Sequence, residues 1–501
     1  MRSSGILLHI SSLPSEYGIG TLGKGAYEFV DYLSDRGLGY WQVLPIGPTG
    51  YGDSPYQTFS TFAGNSYFID PYILYEDGLV EQEDLDKVKA ENGPVDYGAL
   101  YNNRPGLFRK AFLSFTSLGE GHDLSREFAE FCRANAFWLD DYSLFMALHE
   151  RFGCGLNDWP EEFHLIGSEA VRKYASECSD DVMYNRFIQF LFFRQWNALK
   201  SYANEKGIKL IGDIPFYISI DSRDVWANKG LFELDSKGHP LHVAGVPPDA
   251  FSRTGQLWGN PVYLWDAHRR EGFDWWKKRI YHSLSLFDAI RIDHFRGFES
   301  FYSIPVGDVD ATGGEWMPSP GIELFDALGI RNDQGLRLIA EDLGVITDPV
   351  RELLRHTGYP GMKILQFAFD SDLANNDGTY LPHSIGKNSI CYTGTHDNMT
   401  TLQWWDSLSE DDQAFVLEYT GWDSAENFCD KFISLAYSTQ AELVIIPMQD
   451  WLEVGEEGRM NRPSTESGNW QWRLSEEWLD DALKDRIIRK TMVYMRDRFE
   501  K

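Results

Sequence analysis

The sequence predicts an α/β fold, a (β/α)8 TIM barrel with a helical insertion after strand 2 and long loops over the C-terminal face. Three observations carry this prediction. Eight short β-prone runs recur along the chain, at 5–10, 40–46, 209–215, 289–294, 337–343, 361–367, 389–397 and 442–450. Helical segments or long insertions separate them, the arrangement of a parallel sheet. Three of the later runs end in carboxylates, and in such barrels chemistry gathers where strands end.

GILLHISS (5–12) opens the chain as a strand. In 26–37, Phe29, Val30 and Leu33 share a helical face and Gly37 stops the run. YWQVLPIGP (40–48) returns as the second strand, so the chain begins β–α–β. The stretch 51–70 is rich in Gly, Ser and Tyr. It reads as a loop walling a site, with Tyr51, Tyr56, Phe59 and Phe62 along it. From 70 to 206 the pattern turns mainly helical, as in Phe128, Phe131 and Cys132 and in Phe187, Ile188, Leu191 and Phe192. This span reads as an insertion subdomain, and its Phe stripe as helix core rather than a ligand surface. LIGDIPFYI (210–218) is the third strand, with Asp213 at its end.

Residues 219–287 form a second excursion. Within it, GVPPDAFSRTGQLWGNP (245–261) alternates Gly and Pro with Asp249, Phe251 and Trp258. A long aperiodic loop of this kind reads as an ordered lid. The 344–360 link fits one helix, Pro349–His356, and the polar run 458–474 precedes the last helix. The whole chain, 1–501, reads as a single catalytic domain with these insertions.

Composition excludes several classes. The hydrophobic fraction, 43%, is that of a globular protein. Against 46 Lys and Arg stand 76 Asp and Glu, a net charge of −30. Such a surface repels phosphate backbones and anionic lipid, so neither nucleic acid nor a membrane surface is expected as a partner. A neutral sugar is not penalised. The 17 Trp and 25 Tyr suit sugar rings, which have apolar faces and polar rims, although core packing uses the same residues. Five scattered cysteines with no CxxC pair argue against disulfides and zinc and favour a reducing, cytoplasmic compartment. MRSSGILLHIS is too short for a signal peptide, and no run of 18 apolar residues predicts a membrane span.

The chemistry concentrates at three strand ends. In DAIRIDHFRG (288–297), apolar Ala289, Ile290 and Ile292 deliver Arg291, Asp293 and His294 to one end. RLIAEDLG (337–344) ends in Glu341 and Asp342, and ICYTGTHDN (390–398) ends in His396 and Asp397. A single acidic strand end is satisfied by a salt bridge, such as Arg291 with Asp293. Three such ends point to one shared cavity. Paired carboxylates without a metal motif suit glycosidic cleavage, one attacking the anomeric carbon and the other protonating the leaving oxygen. Arg291, two residues before Asp293, lies on the same side of the strand, and a cation there favours the ionised form a nucleophile needs. Glu341 leaves an apolar run, where burial beside other carboxylates keeps a proton on. Asp397 is placed to hold sugar hydroxyls, and His294 and His396 to donate hydrogen bonds. A metal site built on the same two histidines is the weaker alternative. Adjacent strand residues point to opposite faces, and neither HxH nor HExxH occurs. Neither a metal nor a cofactor is expected.

The chain resembles the amylomaltases, the 4-α-glucanotransferases or disproportionating enzymes of glycoside hydrolase family 77, which are similar to the wider α-amylase clan. The resemblance rests on ILLHISSLPS, YGDSPYQTFSTFAGN, GDIPFYIS, GVPPDAFSRTGQLWGNP, AIRIDHFRG, AEDLG, THDN and RMNRP, and it runs over essentially the whole chain. It implies Asp293 as nucleophile, Glu341 as acid/base and Asp397 as transition-state stabiliser. It implies substrate contacts from Tyr56, Asp213, Asp249, Trp258, Arg291, His294, His396 and Asn461. A remote glucan site is implied at Tyr51 and Tyr101, and a flexible loop over the active site at 245–261. The implied activity moves α-1,4-glucan segments from maltodextrin, amylose, starch or glycogen chains to the 4-OH of an acceptor glucan or glucose. It proceeds through a covalent glycosyl-aspartate, with cyclic glucans as intramolecular products. The alternative within the clan is an α-1,4-glucan hydrolase. A glucan-binding barrel without catalysis requires a missing carboxylate, and all three are present.

Overall fold

The computed structural model describes residues 2–50, 52–248, 252–333, 335–372, 377–465, 467–475, 477 and 480–499. Eight parallel strands close into a barrel: β1 (Ser3–Leu7), β2 (Tyr40–Gln42), β3 (Lys209–Ile214), β4 (Ala289–Ile292), β5 (Leu338–Ala340), β6 (Gly361–Ile364), β7 (Ser389–Tyr392) and β8 (Leu443–Pro447). They follow one another around the barrel in chain order, and β8 pairs with β1 to close it. All eight predicted strands are present. Most of their residues are buried on both faces, which is why the runs are apolar rather than alternating. At Gly5 a β-carbon would stand 2.5 Å from the Tyr40 carbonyl oxygen, so only glycine lets β1 and β2 approach there.

The strands are shorter than their sequence runs at the C-terminal ends. β2 stops at Gln42 and β7 at Tyr392, and a short helix, Met448–Trp451, begins directly after β8. The polar residues just past each stop become the loops of the barrel mouth.

Residues 70–206 contain the helices Pro71–Glu76, Gln82–Val88, Tyr97–Thr116, Asp123–Phe152, Glu169–Glu177 and Ser179–Glu205. The Phe stripe is buried between helices, with Phe115 stacked on Phe187 at 4.7 Å and Phe131 5.6 Å from Phe193. Ser179–Glu205 also lies against the barrel. Trp196 donates to the Leu286 carbonyl, and the Tyr202 hydroxyl reaches Asp31 on the first helix, Lys24–Asp35.

Part of the 245–261 segment departs from the expected loop. His242–Val246 and Gln256–Pro261 form an antiparallel pair, extended by Ser300–Pro305 and Glu315–Pro318 into a four-stranded sheet. Positive φ at Gly255 (+70°) and Gly259 (+77°) breaks the alternation that would mark these strands, and their neighbour Ser300–Pro305 lies far along the chain. Among the described residues no helix is long and apolar enough to cross a membrane, and all five cysteines are free.

Candidate active site

At the C-terminal ends of β3 and β4, Asp213 and Arg291 are register partners. Arg291 is 3% exposed, and its guanidinium spans two carboxylates. Nη1 donates to Asp213 Oδ2 at 2.7 Å, and Nη2 lies 2.8 Å from Asp293 Oδ1. The Arg291–Asp293 spacing therefore puts both side chains on one face, as strand parity requires. Tyr56, from the loop after β2, donates its hydroxyl to Asp213 Oδ2 at 2.9 Å. Burial pushes the Asp213 carboxyl upward against the pull of Arg291. Asp213 is 2% exposed, so it supports this floor from beneath.

Glu341 is the first residue past β5. Its Oε2 accepts the His294 backbone N–H at 2.7 Å, and its Oε1 accepts that of Leu343 at 2.8 Å. The carboxyl is pushed up to about 8, by burial first and the Asp293 charge second; Arg291 and the two N–H donors pull the other way and are outweighed. His294 has left-handed backbone (φ 49°), and its N–H donates to Glu341. Its ring stands edge-on to Trp258 at 5.1 Å and near Tyr217 at 6.0 Å. Burial lowers the imidazole to about 3, so it is neutral, and its Nε2 is buried with no partner among the described residues.

The rim is built differently. Asp397 lies beyond β7 in a turn, its side chain 46% exposed. Asn461 Nδ2 donates to its Oδ1 at 2.6 Å, and His396 Nε2 stands 3.4 Å from its Oδ2. Burial lowers the His396 pKa, against the pull of the Asp397 charge. The Tyr56 ring stacks on His396 at 5.2 Å and 12°. Tyr56 thus ties floor to rim through its hydroxyl and its face.

The structure brings Tyr56, Asp213, Trp258, Arg291, Asp293, His294, Glu341, His396, Asp397 and Asn461 to one barrel mouth. Tyr101 stands apart, 73% exposed on Tyr97–Thr116. Tyr51, Asp249 and Phe251 lie outside the described residues. Sequence alone does not single out Tyr217, beside His294, or Asp450, in the short helix after β8. For Asp450 a signal was present: ELVIIPMQD ends in a carboxylate as the other three runs do. Among the described residues no cluster of three or more His, Cys, Asp or Glu is arranged to hold a metal ion. Arg291 already places a cation between Asp213 and Asp293.

A profile of glycoside hydrolase family 77, the 4-alpha-glucanotransferases, matches residues 8–479. The chain belongs to that family. The 4-alpha-glucanotransferase of Clostridium butyricum is 45% identical over 494 residues, which cover 98% of this chain and all of that one. The Thermus thermophilus 4-alpha-glucanotransferase is also 45% identical, over 483 residues covering 94% of this chain and 95% of its own. Among solved structures, amylomaltase from Streptococcus agalactiae in complex with acarbose superposes with a TM-score of 0.94 at 38% identity, covering 99% of this chain and 100% of that one. The Corynebacterium glutamicum amylomaltase, 17% identical with a TM-score of 0.80, covers 99% of this chain and 75% of its own and shares the fold. This family 77 member is an enzyme, a 4-alpha-glucanotransferase of class EC 2.4.1.25.

Proposed function

We propose that this 4-alpha-glucanotransferase works on α-1,4-glucans by retaining double displacement. Asp293 is the nucleophile, Glu341 the acid/base and Asp397 the stabiliser of the distorted sugar. The observation that carries the reading is an asymmetry. Arg291 stands 2.8 Å from Asp293, whereas Glu341 has two neutral N–H donors and a carboxyl pushed up to about 8. One carboxylate is matched to attack carbon and the other to give a proton.

In the first step Glu341 protonates the glycosidic oxygen as an Asp293 oxygen attacks the anomeric carbon. The carbon–oxygen bond to the leaving chain breaks and a glycosyl-aspartate ester forms. In the second, Glu341, now ionised, takes the proton from an acceptor 4-OH. That oxygen attacks the anomeric carbon, the ester breaks, and the α configuration is restored. Asp397 accepts hydrogen bonds from sugar hydroxyls, oriented by Asn461. His294, neutral, and His396 donate to the same sugar, and Tyr56 and Trp258 flank it.

Transfer rather than hydrolysis needs the acceptor held in line and water kept out. Positioning supplies effective molarities of ~10⁵ M or more. We assign this task to the 245–261 lid with Trp258. Maltodextrins, amylose, starch and glycogen chains serve as donors, and a donor whose own 4-OH reaches the intermediate gives a cyclic product. The helical span 70–206 is assigned as an insertion subdomain, with Tyr51 and Tyr101 as a remote glucan site, and the enzyme as cytoplasmic.

Two measurements test this. Incubation with maltotriose should give glucose plus longer oligomers; glucose and maltose alone would make the enzyme a hydrolase. Glu341→Gln treated with α-maltosyl fluoride, whose leaving group needs no acid, should gain one maltosyl group on the peptide containing Asp293. Label on another residue overturns the assignment of the nucleophile.

A further inference from the structure

The turn 393–401, which carries His396 and Asp397, is gripped at both ends by one buried carboxylate. Thr393 Oγ1 donates to Asp450 Oδ2 at 2.5 Å, and the Thr401 backbone N–H donates to Asp450 Oδ1 at 2.7 Å. Asp450 lies in the short helix after β8 and is 2% exposed. Both of these donors are neutral. A carboxylate buried this way is costly to the fold, which directs attention to what it does for the site.

Other contacts steady the middle of the turn. Gln366 Nε2 donates to the Met399 carbonyl at 2.9 Å, and Thr400 Oγ1 to the Gly455 carbonyl at 3.1 Å. A small cavity lined by His9, Leu44, His396, Met399, Asp450 and Arg459 borders the turn.

We infer that Asp450 is a positioning residue for Asp397, setting the height at which the Asp397 carboxylate meets the reacting sugar. This rests on the assignment of Asp397 made above. Asp450 does not touch the substrate; it acts by holding both ends of the segment on which Asp397 rides. Its chemistry allows a clean test. In Asp450→Asn, Oδ1 still accepts the Thr401 N–H, and Nδ2 donates to the Thr393 hydroxyl, which accepts instead. Asp450→Ala loses both grips, and Thr393→Val loses one.

The experiment measures kcat and KM for transfer with α-maltosyl fluoride as donor and maltose as acceptor, alongside the thermal midpoint. Asp450→Ala, Asp450→Asn, Thr393→Val and Asp397→Asn are compared, with Asp450→Ala and Thr393→Val also placed in the Asp397→Asn background. Asp450→Ala should lower kcat on the order of 10²-fold, the cost of a misplacement near 1 Å, with KM little changed. Asp450→Asn should restore most of kcat. In the Asp397→Asn background, loss of the grip should cost no further activity, because the group it positions is already disabled. Losses that multiply, an Asn variant as impaired as Ala, or normal turnover in folded Asp450→Ala would each overturn the inference while leaving the role of Asp397 intact. Full activity in Asp397→Asn would instead overturn the assignment of Asp397, and the inference with it. Should Asp450→Ala fail to fold, Thr393→Val decides by the same criterion, additive or not.

Discussion

Asp293 leaves β4 one residue after the strand ends, its N–H still bonded to the Ile214 carbonyl at 3.0 Å. Asp397 hangs beyond β7 in a turn, its N–H on the Thr395 hydroxyl at 3.3 Å and its carboxylate on Asn461. The first is fixed by the sheet and by a buried guanidinium. The second is fixed by one loop leaning on another. A sheet-borne group is positioned as soon as the barrel closes, and disturbing it means disturbing β4. A loop-borne group can be tuned by residues that never meet the sugar. The floor should therefore respond to substitution with large losses, and the rim with graded ones.

The largest effect belongs to the floor. Asp293→Asn should lower transfer from maltotriose by about 10⁴-fold or more, the scale expected for loss of the proposed nucleophile, with the fold intact by circular dichroism. Measurable transfer within tenfold of the parent would erase the distinction between floor and rim. Next comes Arg291→Lys. A single ammonium cannot bridge Asp213 and Asp293 as the guanidinium does, so kcat should fall about 10²-fold through misplacement of Asp293. Retained activity would mean that charge alone, without the fork, holds Asp293.

The pH profile sharpens the contrast further. As the proposed acid, Glu341 works in its protonated form, and its carboxyl is pushed up to about 8. So kcat/KM should hold as pH rises toward 8 and then fall roughly tenfold per unit. Such a limb reports the coupled pair of carboxylates. Activity still rising at pH 9.5 would remove Glu341 as the acid. At the rim, Asn461→Ala deletes one hydrogen bond to Asp397 and should cost about tenfold in kcat without moving that limb. A shifted limb would show that the rim reaches Glu341. The smallest effect is expected at Trp258→Ala, which should leave bond cleavage largely in place and raise the ratio of glucose release to total cleavage on maltotetraose. Both falling in proportion would give Trp258 a general binding role instead.

The floor was legible in the sequence because strand parity and apolar patterning are local. Arg291 and Asp293 two apart, and Glu341 after Leu338–Ala340, state their directions outright. Depth was not legible. Nothing in LIGDIPFYI states how deeply Asp213 is buried, since the Tyr56 hydroxyl that covers it comes from a loop more than a hundred and fifty residues away. The four-stranded sheet was missed for a related reason. Its strands are short, interrupted by glycine, and paired across the insertion, as His242 is with Pro305. The rim was half legible: His396 and Asp397 stood out by type and Asn461 by resemblance, but the supports Asp450 and Gln366 come from other segments and were not singled out.

The seam between β1 and β8 has a consequence for how the chain is made. Ser3 pairs with Leu443, and Arg496 ties both sides by donating to the Ser3, Tyr437 and Thr439 carbonyls. On a ribosome adding ~5–20 residues per second, β1 waits roughly 20–90 s for its second neighbour. Through that interval the nascent sheet carries an open, apolar edge, which is the kind of surface that recruits other chains. Aggregation during synthesis, more than unfolding afterwards, is where substitutions at this seam would first be felt.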